Sequence, residues 1–211
     1  MEFLSNPKLI FWDFDGVIKD SIAVKTQAFT KLFRPFGAEV AERVREHHEA
    51  NGGMSRFEKL PIYLRWAGKE SSRSSANEFC DKFGQLVLQG VIDSPWVSGA
   101  ETFLRSNPHR QTFVLVSATP QDELEQVLDA LGLTACFTEV FGAPTRKKEA
   151  IRMILAASVL NPWDCLMIGD ARADLEAAEA NQVPFLLRRH ETNSKVFAGY
   201  TGPSFQDFNT L

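Results

Sequence analysis

The chain has few cysteines, no long apolar run and no excess of basic residues, and each absence excludes a class of protein. The three cysteines are scattered without a CxxC motif, which favours reduced thiols over a disulfide framework. No apolar run approaches the roughly 18 residues that a membrane-spanning helix needs. A net charge of −4 argues against nucleic acid as a partner, because binding to a phosphate backbone usually needs a basic surface.

Several sequence motifs are also missing. The first 16 residues, MEFLSNPKLIFWDFDG, lack the basic start, apolar stretch and cleavage site of a signal peptide, so we expect a cytoplasmic protein. We find no GxxxxGK[ST], GxGxxG or GxSxG pattern, which leaves P-loop, dinucleotide-binding and serine-hydrolase interpretations without support. The oligomeric state stays open at this stage.

What is present is typical of a soluble globular protein. The 211 residues are 44% hydrophobic and 24% charged, which predicts one domain or a core with an inserted subdomain. Short apolar runs predict strands that are buried on both faces of a parallel sheet. They lie at 8–14, 111–117, 164–169 and 183–187, with a weaker one at 137–141. Helical patterns at 121–131, 147–160 and 171–180 alternate with them, which predicts an α/β fold with a doubly wound, Rossmann-like parallel sheet.

A block without strand patterns interrupts this alternation after the first strand. Helical periodicity dominates there, at 22–33, 39–50, 57–66 and 76–89. We therefore predict an α/β core made of residues 1–18 and 95–211, and a helical cap made of residues 19–94.

Four features fall at the carboxyl ends of separate predicted strands, where parallel sheets bind ligands. The first is the segment DFDG, in which Asp13 and Asp15 point to the same side of an extended chain and Gly16 permits a sharp turn. Two such acids can divide the work: one attacks or binds a metal, and the other transfers protons. The alternative is that they only cap the next segment.

The second and third features could contact a phosphate group. The hydroxyl of Ser117 and the backbone N–H groups near it would suit phosphate oxygens, although the same residues could simply begin a helix. Lys147 lies in a run of three basic residues and could balance a carboxylate and a transferring phosphoryl group. The alternative for this run is a solvated basic face.

The fourth feature is a second pair of acids. Asp170 ends an apolar strand, and Asp174 follows one helical turn later on the same face. Hard oxygen ligands opposite the first acidic pair are what Mg²⁺ prefers. The alternative is that these acids only stabilise the start of a helix through its dipole.

The order of the four features resembles that of the haloacid dehalogenase-like (HAD) hydrolase superfamily, and the resemblance covers the whole chain. DFDG resembles its motif I, VLVSAT at 114–119 its motif II, the lysine of TRKK at 145–148 its motif III, and GDARAD at 169–174 its motif IV. The helical block lies where that family carries a C1-type cap. The resemblance implies a phosphatase or a related enzyme that acts on a small phosphate ester.

The resemblance also implies a role for each residue. Asp13 would be the nucleophile that takes the phosphoryl group as an aspartyl-phosphate, and Asp15 would protonate the leaving oxygen and later activate water. Ser117 would bind phosphoryl oxygens, with Gly16, Ala118 and Thr119 as further substrate contacts. Lys147, which the family spacing favours over Lys148, would offset charge around the nucleophile. Mg²⁺ would be held by Asp13, the backbone carbonyl of Asp15 and Asp170, with Asp174 in the outer shell or as a further ligand.

The cap carries a candidate substrate loop. Gly53 follows a predicted helix, and Arg56 lies near the loop tip in a GxSR arrangement that resembles the specificity loop of β-phosphoglucomutase-like members. We expect both to contact substrate, which would favour a sugar phosphate or another small polar metabolite. The alternative is a helix–loop–helix corner with a solvated Arg56.

We therefore expect a Mg²⁺-dependent phosphatase of a small phosphorylated metabolite. One alternative is a phosphosugar mutase; those mutases carry a histidine where this chain has Lys25, which we interpret as an exposed helical lysine. The other is a non-catalytic protein of the same fold that binds phosphometabolites. His47 and His48, which are adjacent on a helix, are expected on the cap surface or in its packing, and residues 188–190 in a basic loop.

Overall fold

The computed structural model describes residues 2–210, and its centre is a six-stranded parallel sheet. The strands are Leu9–Trp12 (β1), Thr112–Pro120 (β2), Glu139–Ala143 (β3), Cys165–Gly169 (β4), Phe185–Arg188 (β5) and Ser204–Phe205 (β6). Their order across the sheet is β3-β2-β1-β4-β5-β6. The strand order therefore reverses direction beside β1, and the carboxyl end of β1 is where a doubly wound sheet opens a crevice for ligands.

The central strand supplies apolar side chains to both faces of the sheet. Ile10 and Trp12 join one buried cluster, whereas Leu9 and Phe11 join the cluster on the other face. This split follows from the alternation of side chains along a strand. Because both faces of β1 are covered, its sequence is a continuous apolar run.

Helices follow the strands and fill the long insertion after β1. They are Glu2–Ser5 (α1), Ile22–Phe33 (α2), Ala38–Ala50 (α3), Arg56–Trp66 (α4), Arg73–Asp93 (α5), Ala100–Ser106 (α6), Gln121–Ala130 (α7), Lys147–Ala157 (α8) and Arg172–Ala180 (α9). Among residues 2–210, none of these helices combines the length and the apolar composition needed to cross a membrane.

Aromatic side chains hold the inserted helices α2–α5 together. The rings of Phe29 and Phe83 are stacked with centroids 3.9 Å apart, and Tyr63 meets Phe33 edge-on at 5.5 Å. These residues belong to the same apolar cluster as Ile10 and the other side chains on that face of the sheet. The helical block therefore packs continuously onto one face of the α/β part.

The predicted α/β class and parallel sheet are confirmed, and the differences concern the ends of elements. β1 ends at Trp12 rather than at residue 14, and β2 continues to Pro120. α5 extends beyond the predicted 76–89 because the hydroxyl of Ser72 accepts a hydrogen bond from the backbone of Ser75 at 3.2 Å and caps the helix earlier. The short elements α6 and β6 were not predicted, since they carry too few residues to show a period.

Candidate active site

The predicted nucleophile lies at the carboxyl end of the central strand. The backbone N–H of Asp13 still donates to the carbonyl of Ile168 at 3.0 Å, which anchors the residue to β4 after β1 has ended. Its buried carboxylate accepts a hydrogen bond from the backbone N–H of Phe14 at 2.7 Å. The same oxygen lies 2.7 Å from the ammonium of Lys147. The DFDG segment and the start of α8 thus hold this carboxylate from two sides.

Gly16 allows the chain to turn sharply just beyond that point. Its φ is +76°, in the left-handed region that favours glycine. A Cβ atom at this position would lie 2.2 Å from Oδ2 of Asp170, a distance that real side chains do not reach. The turn therefore depends on the absence of a side chain and brings the DFDG segment against the acidic segment after β4.

Asp15 is held by a cluster of polar side chains. Its carboxylate accepts hydrogen bonds from Ser21 at 2.6 Å, Lys25 at 2.5 Å and Thr119 at 3.2 Å. The Lys25 ammonium also donates to the Thr119 hydroxyl at 2.8 Å. Burial disfavours the charged carboxylate and would raise the pKa of Asp15. The Lys25 charge and the hydrogen bonds from Lys25 and Ser21 outweigh burial, so the pKa of Asp15 is lowered.

The interpretation of Lys25 as an exposed helical lysine was wrong. Its side chain is only 13% exposed and forms the ion pair with Asp15 described above. The amphipathic pattern of α2 placed it near the boundary between the buried and the solvent face. Only the fold of the DFDG turn shows that a carboxylate meets it there.

Of the three basic residues at the start of α8, Lys147 alone is buried. Its ammonium bridges Asp13 at 2.7 Å and Asp174 at 2.5 Å. Burial disfavours the ammonium, yet the two carboxylates outweigh burial and raise the pKa of Lys147. Lys148 is exposed, and Arg146 pairs with Glu58 of α4 at 3.1 Å. The alternative of a solvated basic face therefore holds for Arg146 and Lys148, but not for Lys147.

The two acids after β4 differ in what they contact. Asp174 is fully engaged by protein donors: one oxygen meets Lys147, and the other accepts the backbone N–H groups of Asp170 at 3.2 Å and Ala171 at 2.9 Å. Asp170 directs one oxygen towards the ring of His190, with Oδ2 and Nε2 2.8 Å apart. Asp174 thus orders the turn and positions Lys147, while Asp170 keeps more of its coordinating capacity.

These three carboxylates crowd into one buried cluster. Asp13, Asp170 and Asp174 each offer an oxygen, and these oxygens lie within 4.8 Å of one another. Burial first, and then the charge of Asp174, raise the pKa of Asp170 to about 8 and hold that of Asp13 well above its usual range. One lysine does not balance three acids. Hard oxygen donors with excess negative charge are the ligands that Mg²⁺ prefers, so the residues of this cluster fit a magnesium ion.

The hydroxyl residues Ser117 and Thr119, near the carboxyl end of β2, do not cap the following helix. The Ser117 hydroxyl accepts the backbone N–H of Thr119 at 3.2 Å, and the Thr119 hydroxyl is used by Asp15. Helix α7 begins after Pro120 without a side-chain cap. The alternative that these hydroxyls only begin a helix is therefore wrong. Ser117, Ala118 and Lys147 line a cavity of about 570 Å³.

Arg56 is buried, so the alternative of a helix–loop–helix corner with a solvated Arg56 is also wrong. Its guanidinium forms a bidentate ion pair with Glu123 of α7, at 2.7 and 2.6 Å. It also lies over the ring of Phe83, 4.5 Å from the centroid. The pair fastens α4 of the helical block to α7 beside the sheet. Gly53 adds a second close approach, because a Cβ there would lie 2.7 Å from Cβ of Ala173 in α9.

Lys59 and His48 are functional candidates that the sequence reasoning missed or discounted. Lys59 Nζ lies 2.8 Å from Nδ1 of His48, and both side chains are buried. Burial, with Lys25 nearby, lowers the pKa of Lys59 to about 7 and that of His48 well below its usual value. A pattern could have shown Lys59, because Arg56, Lys59, Leu60 and Tyr63 follow helical spacing on the buried face of α4.

The prediction of a basic loop at residues 188–190 was wrong for two of its three residues. Arg188 is buried and donates to Asp20 at 2.8 Å and to the carbonyl of Gly16 at 3.2 Å. His190 contacts Asp170, and burial, followed by the charge of Arg188, lowers its pKa to about 4. Arg188 thus contacts the turn after Asp15, and His190 contacts Asp170 of the acidic cluster.

The catalytic candidates and the helical block line a second, smaller cavity of about 80 Å³, which Ala118 also lines. Asp13, Asp15 and Asp170 line it on the side of the sheet. Lys25, His48 and Lys59 line it from the helical block. The arrangement can hold a small anionic molecule between a buried carboxylate and buried cations.

Comparison with known proteins finds a matching family model and curated relatives. The family model of haloacid dehalogenase-like hydrolases matches residues 7–181. Phosphoglycolate phosphatase 1 of Pseudomonas aeruginosa is 24% identical over 192 residues, which cover 82% of this chain and 66% of that protein, just under two thirds. A phosphoglycolate phosphatase of Vibrio vulnificus is 25% identical over 181 residues, covering 82% of this chain and 79% of the relative.

Solved structures share the fold at lower identity. A predicted phosphoglycolate phosphatase from Haemophilus somnus has a TM-score of 0.73 at 18% identity, with 96% of this chain and 95% of that chain covered. A β-phosphoglucomutase from Clostridium difficile has a TM-score of 0.75 at 20% identity, with 97% and 93% covered. At these identities the structural likeness concerns the fold alone.

Proposed function

Because the chain belongs to the haloacid dehalogenase-like hydrolase family, we propose that it is a Mg²⁺-dependent phosphatase of a small phosphorylated metabolite. One observation carries the proposal: the buried Asp13 carboxylate meets the Lys147 ammonium at 2.7 Å, beside two further buried carboxylates at the carboxyl edge of the sheet. Such a group has no packing role. It is placed to attack a phosphorus atom that enters the cavity.

The reaction divides into two displacements at phosphorus. In the first, a carboxylate oxygen of Asp13 bonds to phosphorus, the ester P–O bond breaks, and Asp15 gives a proton to the leaving oxygen. In the second, water attacks the aspartyl-phosphate and Asp15 takes a proton from it. Asp13 and inorganic phosphate are then released. The ion pair with Lys25 stabilises the ionised form that Asp15 takes once it has given up its proton. The proton that Asp15 then takes from water serves the first displacement of the next turnover.

The remaining site residues hold charge and position. When bound, Mg²⁺ supplies positive charge that neutralises the carboxylates and the phosphoryl oxygens. Asp13, Asp170 and the backbone carbonyl of Asp15 would hold it, since both oxygens of Asp174 already accept protein hydrogen bonds. Lys147 offsets charge beside the nucleophile, and the Ser117 region binds the phosphoryl oxygens.

We assign residues 19–94 as a cap over a core of residues 1–18 and 95–211. The cap supplies Lys25, His48 and Lys59 to the cavity and fastens to the core through the Arg56–Glu123 pair. It excludes water from the site and contacts the leaving group. The activity named for the curated relatives makes phosphoglycolate the first ester to test.

The test is release of inorganic phosphate from a panel of esters that includes phosphoglycolate and hexose phosphates. We expect release with Mg²⁺, none with chelator, and none from the Asp13→Asn variant. Release that persists in Asp13→Asn would refute the assigned nucleophile. Conversion of a hexose phosphate into its isomer without phosphate release would establish the mutase alternative, and binding without turnover the non-catalytic one.

A further inference from the structure

Lys59 stands out among the buried cations that line the cavity because it lacks an acidic partner. Its side chain is 1% exposed, and its ammonium contacts Nδ1 of His48 at 2.8 Å. Among the side chains that the structure describes, no carboxylate forms an ion pair with it. A buried ammonium without a counter-charge costs several kcal/mol, so proteins seldom keep one without use.

The other buried cations that line the cavity already have their anions. Lys25 pairs with Asp15, Arg56 with Glu123, and Lys147 with Asp13 and Asp174. Lys59 is thus the remaining buried cation in this wall, within the described part of the chain. Its side chain lines the same cavity as the carboxylates of Asp13 and Asp15.

His48 fixes the Lys59 ammonium without neutralising it. An ammonium can only donate, so Nδ1 of His48 must accept and the imidazole must be neutral in this contact. The ring of His48 packs against Phe29, with centroids 4.9 Å apart. The histidine therefore orients the lysine by one hydrogen bond and leaves two N–H groups for a ligand.

We propose that Lys59 receives a carboxylate on the leaving group of the phosphate ester, so that the substrate is a short phosphorylated hydroxy acid. The inference rests on the proposed phosphatase function. One cation matches one monoanion: a sugar leaving group would leave the ammonium unpaired, and a second phosphate would bring about two charges against it. Lys59 and Asp13 line the same small cavity of about 80 Å³, so a carboxylate held by Lys59 and a phosphoryl group at Asp13 would lie close together, as in a short acid.

The experiment compares two esters of nearly equal size, 2-phosphoglycolate and 2-hydroxyethyl phosphate, which differ in the carboxylate. We expect the wild type to prefer phosphoglycolate at least tenfold in kcat/KM. Lys59→Met should lower kcat/KM for phosphoglycolate by roughly 10- to 100-fold, mainly through KM, because one buried charge pair is lost. The value for hydroxyethyl phosphate should stay within about twofold. Lys69→Met, an exposed lysine of the same block, is the matched control.

Each other outcome has a definite meaning. Equal use of both esters by the wild type, or a preference that survives in both Lys59→Met and Lys59→Gln, overturns the subsite while the phosphatase function stands. A preference for ethylene glycol bisphosphate overturns the carboxylate assignment. If no ester is hydrolysed, the proposed function fails, and calorimetric binding of phosphoglycolate decides the subsite: at least tenfold weaker binding to Lys59→Met supports it, and equal binding overturns it.

Discussion

Burial of Lys59 should make the free energy of unfolding depend on pH in a way that one substitution removes. The pKa of this ammonium is about 7 in the folded protein, against 10.5 for an ordinary lysine. Between these values the unfolded chain holds a proton that the folded chain has lost, so raising the pH stabilises the fold. The gap of about 3.5 corresponds to a penalty of roughly 5 kcal/mol when the folded ammonium is charged.

The size of the effect follows from these two pKa values. At pH 7.5 most of the penalty, about 4 kcal/mol, is still present, and at pH 9.5 roughly 1 to 2 kcal/mol remains. The wild type should therefore gain roughly 2 to 3 kcal/mol over this range relative to Lys59→Met, which has no proton to lose. His48 is neutral in both states above pH 7.5, so it adds nothing in this window.

Urea unfolding at constant ionic strength, with reductant and without phosphate esters, measures the difference between wild type and Lys59→Met. We expect the methionine variant to be the more stable at pH 7.5 and the advantage to shrink towards pH 9.5. Lys69→Met should track the wild type at every pH, because that lysine is exposed. A difference that varies by less than about 0.5 kcal/mol across the range would refute the reasoning, since Lys59 would then keep its ordinary protonation when folded.

Three further substitutions test the contacts around the nucleophile and the cap. Lys147→Met should reduce kcat at least about 100-fold, whereas Lys148→Met should stay within about twofold; steady-state phosphate release measures both. Lys25→Met should lower kcat roughly 10- to 100-fold with little change in KM, because Asp15 loses the ammonium that holds it in place; an unchanged kcat would contradict this. Arg56→Met should destabilise the protein by about 3 kcal/mol in urea unfolding, because it leaves Glu123 buried without its partner, and a second substitution, Glu123→Leu, should recover much of the loss.

The fold and the acidic edge could be predicted from sequence because both depend on local patterns. A strand buried on both faces must be apolar throughout, so a carboxylate at its end, such as Asp13 or Asp170, stands out. The alternation of short strands with amphipathic helices then places those ends at one edge of the sheet. Lys147 could be chosen over its neighbour by the family's spacing, which follows the same local order.

The polar pairs of the cap could not be predicted, because they join residues that are distant in sequence. Arg56 and Glu123 are separated by 67 positions, and Lys25 and Thr119 by 94. No periodicity within one helix reveals such a partner. Lys25 was therefore interpreted as an exposed lysine, the usual state of a charged residue, and Arg56 as a substrate contact or a solvated loop residue. Only tertiary packing shows that both are paired with carboxylates.

The charges of the cap also favour hydrolysis over phosphoryl transfer between sugars. A mutase that shares an aspartyl-phosphate must hold two phosphate groups at once, one in transfer and one that stays on the sugar. The cap would have to meet the second phosphate with free cations. Arg56 is committed to Glu123 and Lys25 to Asp15. Among the described buried cations that line the cavity, the Lys59 ammonium is therefore the one without an acidic partner. That single charge suits a carboxylate on a small leaving group, which supports the proposed hydrolysis of a short phosphorylated acid over the mutase alternative.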